Sequence, residues 1–112
     1  MFSQIASFET LRTVAFGAIT NAYTPFGTPL SNVVRIFKIT NTTDGDILIS
    51  LGGVNDNIII PAGTFTLYDL TANKGGNILI FALPTSTQFY LKYVSAPTKG
   101  SVYLECIYGI GE

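Results

Sequence analysis

Asp44, Asp46 and Asp56 stand among asparagine and glycine in the stretch NTTDGDILISLGGVNDNIIIPAG, residues 41–63. That is the company calcium ligands keep. An EF-hand loop places oxygen ligands at alternate positions, glycine at the sixth and glutamate at the twelfth. Asn41, Asp44, Gly45 and Asp46 do not hold that register, and no glutamate follows until Glu105. Asp-Gly between two alternating runs is instead a strong hairpin signal. Asn55-Asp56-Asn57 behind Gly52-Gly53 reads as a second turn, because these residues tolerate positive φ. The stretch is therefore read as turns, with no metal site and no cofactor assigned.

Catalytic chemistry finds little to work with. The chain has no histidine, which removes the commonest general base and the Ser-His and Cys-His nucleophile pairs. Cys106 alternates in phase with Val102 and Leu104, so it reads as a small buried hydrophobe. One cysteine without histidine is a poor basis for a zinc site, and none is expected. A carboxylate pair for glycoside hydrolysis would have to come from Asp69 and Glu105, which show nothing beyond being acidic. Lys74 beside Gly75-Gly76 lacks the Walker spacing and reads as a hairpin loop. The expectation is a protein that is not an enzyme.

The elements behind these residues are strands. VVRIFKIT (Val33 to Thr40), DILIS (Asp46 to Ser50), NIIIP (Asn57 to Pro61), TFTLYDL (Thr64 to Leu70), TQFYLKYV (Thr87 to Val94) and GSVYLECIYG (Gly100 to Gly109) alternate or are rich in β-branched and aromatic residues. ILIFA (Ile78 to Ala82) is a continuous apolar run, and a further strand falls within LRTVAFGAIT (Leu11 to Thr20). In TFTLYDL, Phe65 and Leu67 are assigned to one face, taken as the apolar row, and Thr64, Thr66 and Tyr68 to the other. Asn21 to Asn32, with Tyr23, Phe26 and Leu30 between prolines, reads as a long ordered loop. About eight short antiparallel strands without a convincing helix predict one all-β domain over residues 1–112, a jelly-roll-like β-sandwich. An immunoglobulin-like sandwich is the alternative, but the Cys…Trp…Cys spacing is missing. Met1 to Glu9 reads as an N-terminal arm with apolar anchors Phe2, Ile5 and Phe8, which either grip a neighbour or fold back on the domain.

Composition points to association. Among 112 residues, 47% are hydrophobic and 12% charged, against about 25% charged in an ordinary soluble domain. Mean hydropathy is +0.42. No apolar run approaches the roughly 18 residues of a membrane span. The six lysines and arginines are scattered and the net charge is −1, so neither a membrane surface nor nucleic acid is an expected partner. The start, MFSQIASFETLRT, has no signal-peptide pattern, and the lone cysteine excludes an internal disulfide; function without secretion is expected. Covered surface is then expected from neighbouring chains. Tyr68, Tyr90 and Tyr103, assigned to strand faces opposite the apolar rows, are interface candidates, together with Phe2, Ile5 and Phe8. The same tyrosines could line a sugar-binding face, the alternative from another functional class.

FETLRTVAFGAIT, RIFKITNTTDGDILISLGGVNDNIIIPAGTFTLYDLTANK and TQFYLKYVSAPTKGSVYLECIYG, in that order, give the chain a style that resembles small all-β virion proteins of tailed bacteriophages. TNTTDGDILIS, PAGTFTLYDLT and the tyrosine-rich end closing on IYG carry most of it. The resemblance implies a jelly-roll-like structural protein without an active site. It would decorate or cement a capsid, or serve as a neck, adaptor or tail component. Its partners would be copies of itself and other virion proteins, its location the virion, assembled in the host cytoplasm.

Overall fold

The structure is a computed structural model in which residues 5–70 and 82–110 are described. Among these residues the chain forms nine strands: β1 Ile5–Phe8, β2 Arg12–Ala15, β3 Thr24–Pro25, β4 Val34–Asn41, β5 Ile47–Ser50, β6 Ile58–Ile60, β7 Phe65–Asp69, β8 Tyr90–Tyr93 and β9 Ser101–Ile110. A 3-10 turn at Phe16–Ala18 is the one helical element described. The expected run Ile78–Ala82 lies, except for Ala82, outside the described residues, as do Phe2 and the Lys74-Gly75-Gly76 loop.

The pairing is nested. β5 pairs with β6, β4 with β7, β3 with β8 and β2 with β9, all antiparallel. This is one long folded hairpin. Rolling it up brings β4 beside β9 and β5 beside β8. The result is a five-stranded sheet, β1-β9-β4-β7 with β2 also on β9, and a four-stranded sheet, β3-β8-β5-β6. Two such antiparallel sheets joined by rolled-up connections are a jelly roll, the sandwich expected from the strand pattern.

The core lies between the sheets, because strand side chains alternate and one face of each sheet can be dried. Phe37, Ile39, Val102, Leu104 and Cys106 enter from the five-stranded sheet; Ile47, Ile49, Ile60, Phe89 and Leu91 enter from the other side. Phe37 meets Phe89 edge to face at 5.3 Å. Phe26 and Leu30, within the stretch read as a long ordered loop, are buried as part of the core. The pair Thr24–Pro25 within that segment adds to β8.

Two sequence readings are corrected. The Asp44-Gly45 turn does not close a hairpin: β4 and β5 belong to different sheets, so Thr42–Asp46 is a corner between layers. Buried Asn41 holds it. Its amide nitrogen donates to the carbonyls of Gly45 (2.9 Å), Ile60 (3.0 Å) and Pro61 (3.3 Å), and its Oδ1 accepts from Thr43 N (2.9 Å) and Oγ1 (2.6 Å). Gly45 fits because a Cβ there would sit 2.7 Å from the Ser95 carbonyl oxygen. Second, the faces of β7 are the reverse of those read from sequence. Tyr68 turns inward and stacks on Phe37 at 5.0 Å, while Phe65 and Leu67 face out. Alternation sets a period of two, but only pairing with β4 says which face is inside.

Candidate functional site

The three aspartates of the opening stretch are positioned apart. Asp44 accepts from both the backbone N–H and the hydroxyl of Thr98. The Thr98 hydroxyl and then its N–H hold the Asp44 carboxyl below the usual aspartate range. Asp46 accepts from Ala62 N at 3.0 Å. Asp56 accepts from the Tyr23 hydroxyl at 2.6 Å and lies 3.6 Å from the Lys92 ammonium. Burial, and then Asp56, raises the Tyr23 phenol. Among the described residues no three acidic or thiol side chains converge on one point.

The other chemical candidates are dispersed as well. Asp69 stands on β7 opposite Ile36, and Glu105 on β9 opposite Lys38, with β4 between them. Two strand spacings and a two-residue offset along the strands put their backbones about 12 Å apart. Cys106 is fully buried, and desolvation pushes its thiol up to about 11. No described helix is long and apolar enough to cross a membrane.

What the fold does bring together is an apolar outer face on the five-stranded sheet. Four rows build it. β9 contributes Tyr103, Glu105 and Ile107; β4 contributes Thr40, Lys38 and Ile36, paired with them in that order. β7 adds Phe65, Leu67 and Asp69 beside Thr40, Lys38 and Ile36. On the far side of β9, Phe8 pairs with Ile107 and Thr13 with Tyr103. Phe8, Phe65 and Leu67 are 68%, 59% and 56% exposed. The Lys38 ammonium lies 4.5 Å over the Phe65 ring. Glu105 is exposed at the middle of this face, and no hydrogen bond or ion pair engages it among the described residues.

A buried clasp fixes the rim that carries Phe8. Arg12 Nη2 donates to Glu9 Oε1 and to the Pro29 carbonyl, each at 2.9 Å, while Nε donates to the Thr28 carbonyl at 2.7 Å. Glu9 Oε2 accepts from Ser31 N and from both nitrogens of Asn32. Burial works against the Glu9 carboxylate, but hydrogen bonds from Asn32 and Arg12 outweigh it and hold its pKa below the ordinary value. An open hollow of about 220 Å³ beside the clasp is lined by Phe8, Thr10, Asn32 and Tyr108 among others. The ionic groups at its floor are already bonded to one another.

The six interface candidates separate. Phe8 and half-buried Tyr103 share the outer face of the five-stranded sheet. Ile5 joins that sheet through its backbone opposite Ile110. Tyr90 is half-buried on the four-stranded sheet, beside Gly53. Tyr68 packs against the core, contrary to its assignment to an outer face, and Phe2 lies outside the described residues. Sequence reading missed Leu67, Phe65 and Lys38 as members of one surface. The signal that finds them is their common register on β4, which no local pattern supplies.

No protein-family description matches the chain, and no curated protein matches it. Among solved structures, the chain is similar to one from the work "Bacillus endospore appendages form a novel family of disulfide-linked pili". That likeness has a TM-score of 0.52 at 10% identity, over 98% of this chain and 91% of that one. At this identity it speaks to the fold, an all-β sandwich found in a pilus-like appendage.

Proposed function

We propose that this chain is a non-enzymatic structural subunit that works by assembling with copies of itself and with other proteins of a particle. Its setting is the virion of a tailed bacteriophage, as a capsid decoration or cement protein, with a neck or tail component as the alternative. The observation that carries the assembly role is the outer face of the five-stranded sheet. Phe8, Phe65 and Leu67 are each more than half exposed on one surface of a chain in which 12% of residues are charged. Covering large side chains grouped this way lowers the free energy by roughly 25 cal/mol per Å² of apolar surface taken out of water. The fold shared with a pilus-type protein supports a structural role on the same terms, since both are small β-sandwiches. The virion setting is supported by the sequence style described above.

The test is native mass in solution over a wide concentration range, with and without calcium. An oligomer whose mass does not depend on calcium is expected. A monomer at every concentration overturns the self-assembling role. A calcium-dependent mass would overturn the reading of the Asp44, Asp46 and Asp56 loops as plain turns.

A further inference from the structure

The geometry points to a specific partner for this face: a second copy of the same chain, stacked on it about a two-fold axis that runs along the strands between β4 and β9. The inference rests on the assembly reading and adds the surface, the symmetry and the residues that meet.

The face is self-complementary about that line. β4 and β9 are its two central rows, flanked by β7 on one side and by β1 and β2 on the other. A two-fold axis lying between the central rows places each outward residue of β4 over the β9 residue that is its own cross-strand partner. Lys38 then faces Glu105 of the copy, Ile36 faces Ile107, and Thr40 faces Tyr103. The operation is closed and isologous, so each contact occurs twice. The outer rows follow: β7 lies over the β1–β2 side of the copy, with Phe65 over Thr13 and Asp69 at the rim over Phe8.

Charge selects this axis over a two-fold running across the strands at the level of Lys38 and Glu105. Lys38 and Glu105 are the central charges of the surface and flank the proposed axis on opposite sides. The two-fold brings unlike charges together twice. Placing Lys38 over Lys38 and Glu105 over Glu105 would oppose like charges in a drying interface, which is strongly unfavourable. Within one chain Lys38 is engaged with the Phe65 ring, and Glu105 has no hydrogen-bonding or ionic partner among the described residues. A copy supplies the missing cation.

The size suits a weak pair. Rows about 4.8 Å apart and outward residues about 6.8 Å apart give a flat face on the order of 400 Å². The accessible surface over protruding Phe and Leu side chains is larger. Two such flat faces amount to about 800 Å² before the protruding side chains are counted, below the roughly 1,200 Å² at the lower end of standard interfaces, so the pair is of the weak, concentration-dependent kind; stacked sheets pack at about 10 Å.

Sedimentation equilibrium of the full chain, with wild type, Lys38→Glu, Glu105→Lys and the double exchange, tests this. Each single exchange opposes like charges at both symmetric contacts. The dissociation constant should rise about 100-fold or more, and the double exchange should bring it back to within about 10-fold of wild type. Leu67→Asp should abolish the pair. All positions are on the outer face, so circular dichroism and the melting curve check that each variant is folded. An oligomeric wild type whose mass survives Leu67→Asp and both single exchanges overturns the proposed interface while leaving assembly through another surface. Single exchanges that weaken the pair without rescue in the double variant overturn the two-fold register. A wild type that is monomeric at all concentrations removes the assembly reading itself.

Discussion

Replacing Asn41 by alanine should destabilise the fold by about 3 kcal/mol without changing its outer surface. The figure follows from which groups lose their last partner. Gly45 O keeps a hydrogen bond from Thr43 Oγ1 at 3.0 Å, and Pro61 O keeps those from Thr64 N and Oγ1. Thr43 N has no other acceptor shown and is buried with its residue. An orphaned buried N–H costs about 1–3 kcal/mol, and the donor lost at Ile60 O adds about 1 kcal/mol. Urea unfolding followed by circular dichroism is the assay. With a slope of about 1.5 kcal/mol per molar for a small domain, the midpoint should fall by about 2 M with the slope unchanged. Thr43→Val is the companion. It removes the hydroxyl bonds to Asn41 Oδ1 and Gly45 O but leaves the Thr43 N–H paired, so its loss should be smaller. A shift for Asn41→Ala below about 1 kcal/mol would refute the view that this amide holds the corner between the sheets.

Gly100 has φ +88°, and a Cβ there would lie 2.3 Å from the Thr42 carbonyl oxygen. Gly100→Ala should therefore destabilise by about 3 kcal/mol or more, while Gly17→Ala, with nothing within 4 Å, should be nearly neutral in the same melt. Glu9 has a folded pKa depressed below the ordinary glutamate value by hydrogen bonds from Asn32 and Arg12, against the opposing effect of burial. Its stabilisation is complete above the unfolded value and disappears as pH falls through the lower folded value. Stability measured from neutral pH down through the acid range should decline in that window, and Glu9→Gln should flatten that part of the curve. Cys106, buried and with its thiol raised to about 11, should resist a thiol-reactive dye in the native protein and react fully in denaturant. Rapid native labelling would mean the β9 core side opens.

Much of the fold was legible because strand alternation is local. Val102, Leu104 and Cys106 read as one inward row and are one. Phe89, Leu91 and Tyr93 likewise read as a core row and pack there. What local pattern could not carry was the partner of each strand. Phe65 and Leu67 look like a core row, and Tyr68 like a surface residue. The order reverses because Tyr68 pairs with Phe37 and can dry its ring against it. Asp44-Gly45 looks like a hairpin because turn chemistry does not state which sheet the next strand will join. Arg12 looks like one of six scattered cations, although Glu9 three residues earlier was a readable hint of the ion pair. Its other bonds, to the carbonyls of Thr28 and Pro29, depend on how the following loop packs. The apolar face likewise exists only across four strands that are distant in sequence.

The nested pairing also governs the order in which such a surface can come into being. During synthesis β5 and β6 can meet first, since they are neighbours, whereas β2 must wait for β9 across most of the chain. β9 is the last of the described strands to be made, yet it sits in the middle of its sheet, between β4 and the β1–β2 side. Until it inserts, two of the four outer rows are not joined to the other two, and Lys38 has no Glu105 beside it. A growing chain thus carries no finished surface to offer to a neighbour, and finished chains acquire theirs with the closing step of folding. The same topology that makes this sandwich slow to close therefore delays encounters between copies until each has its complete sheet.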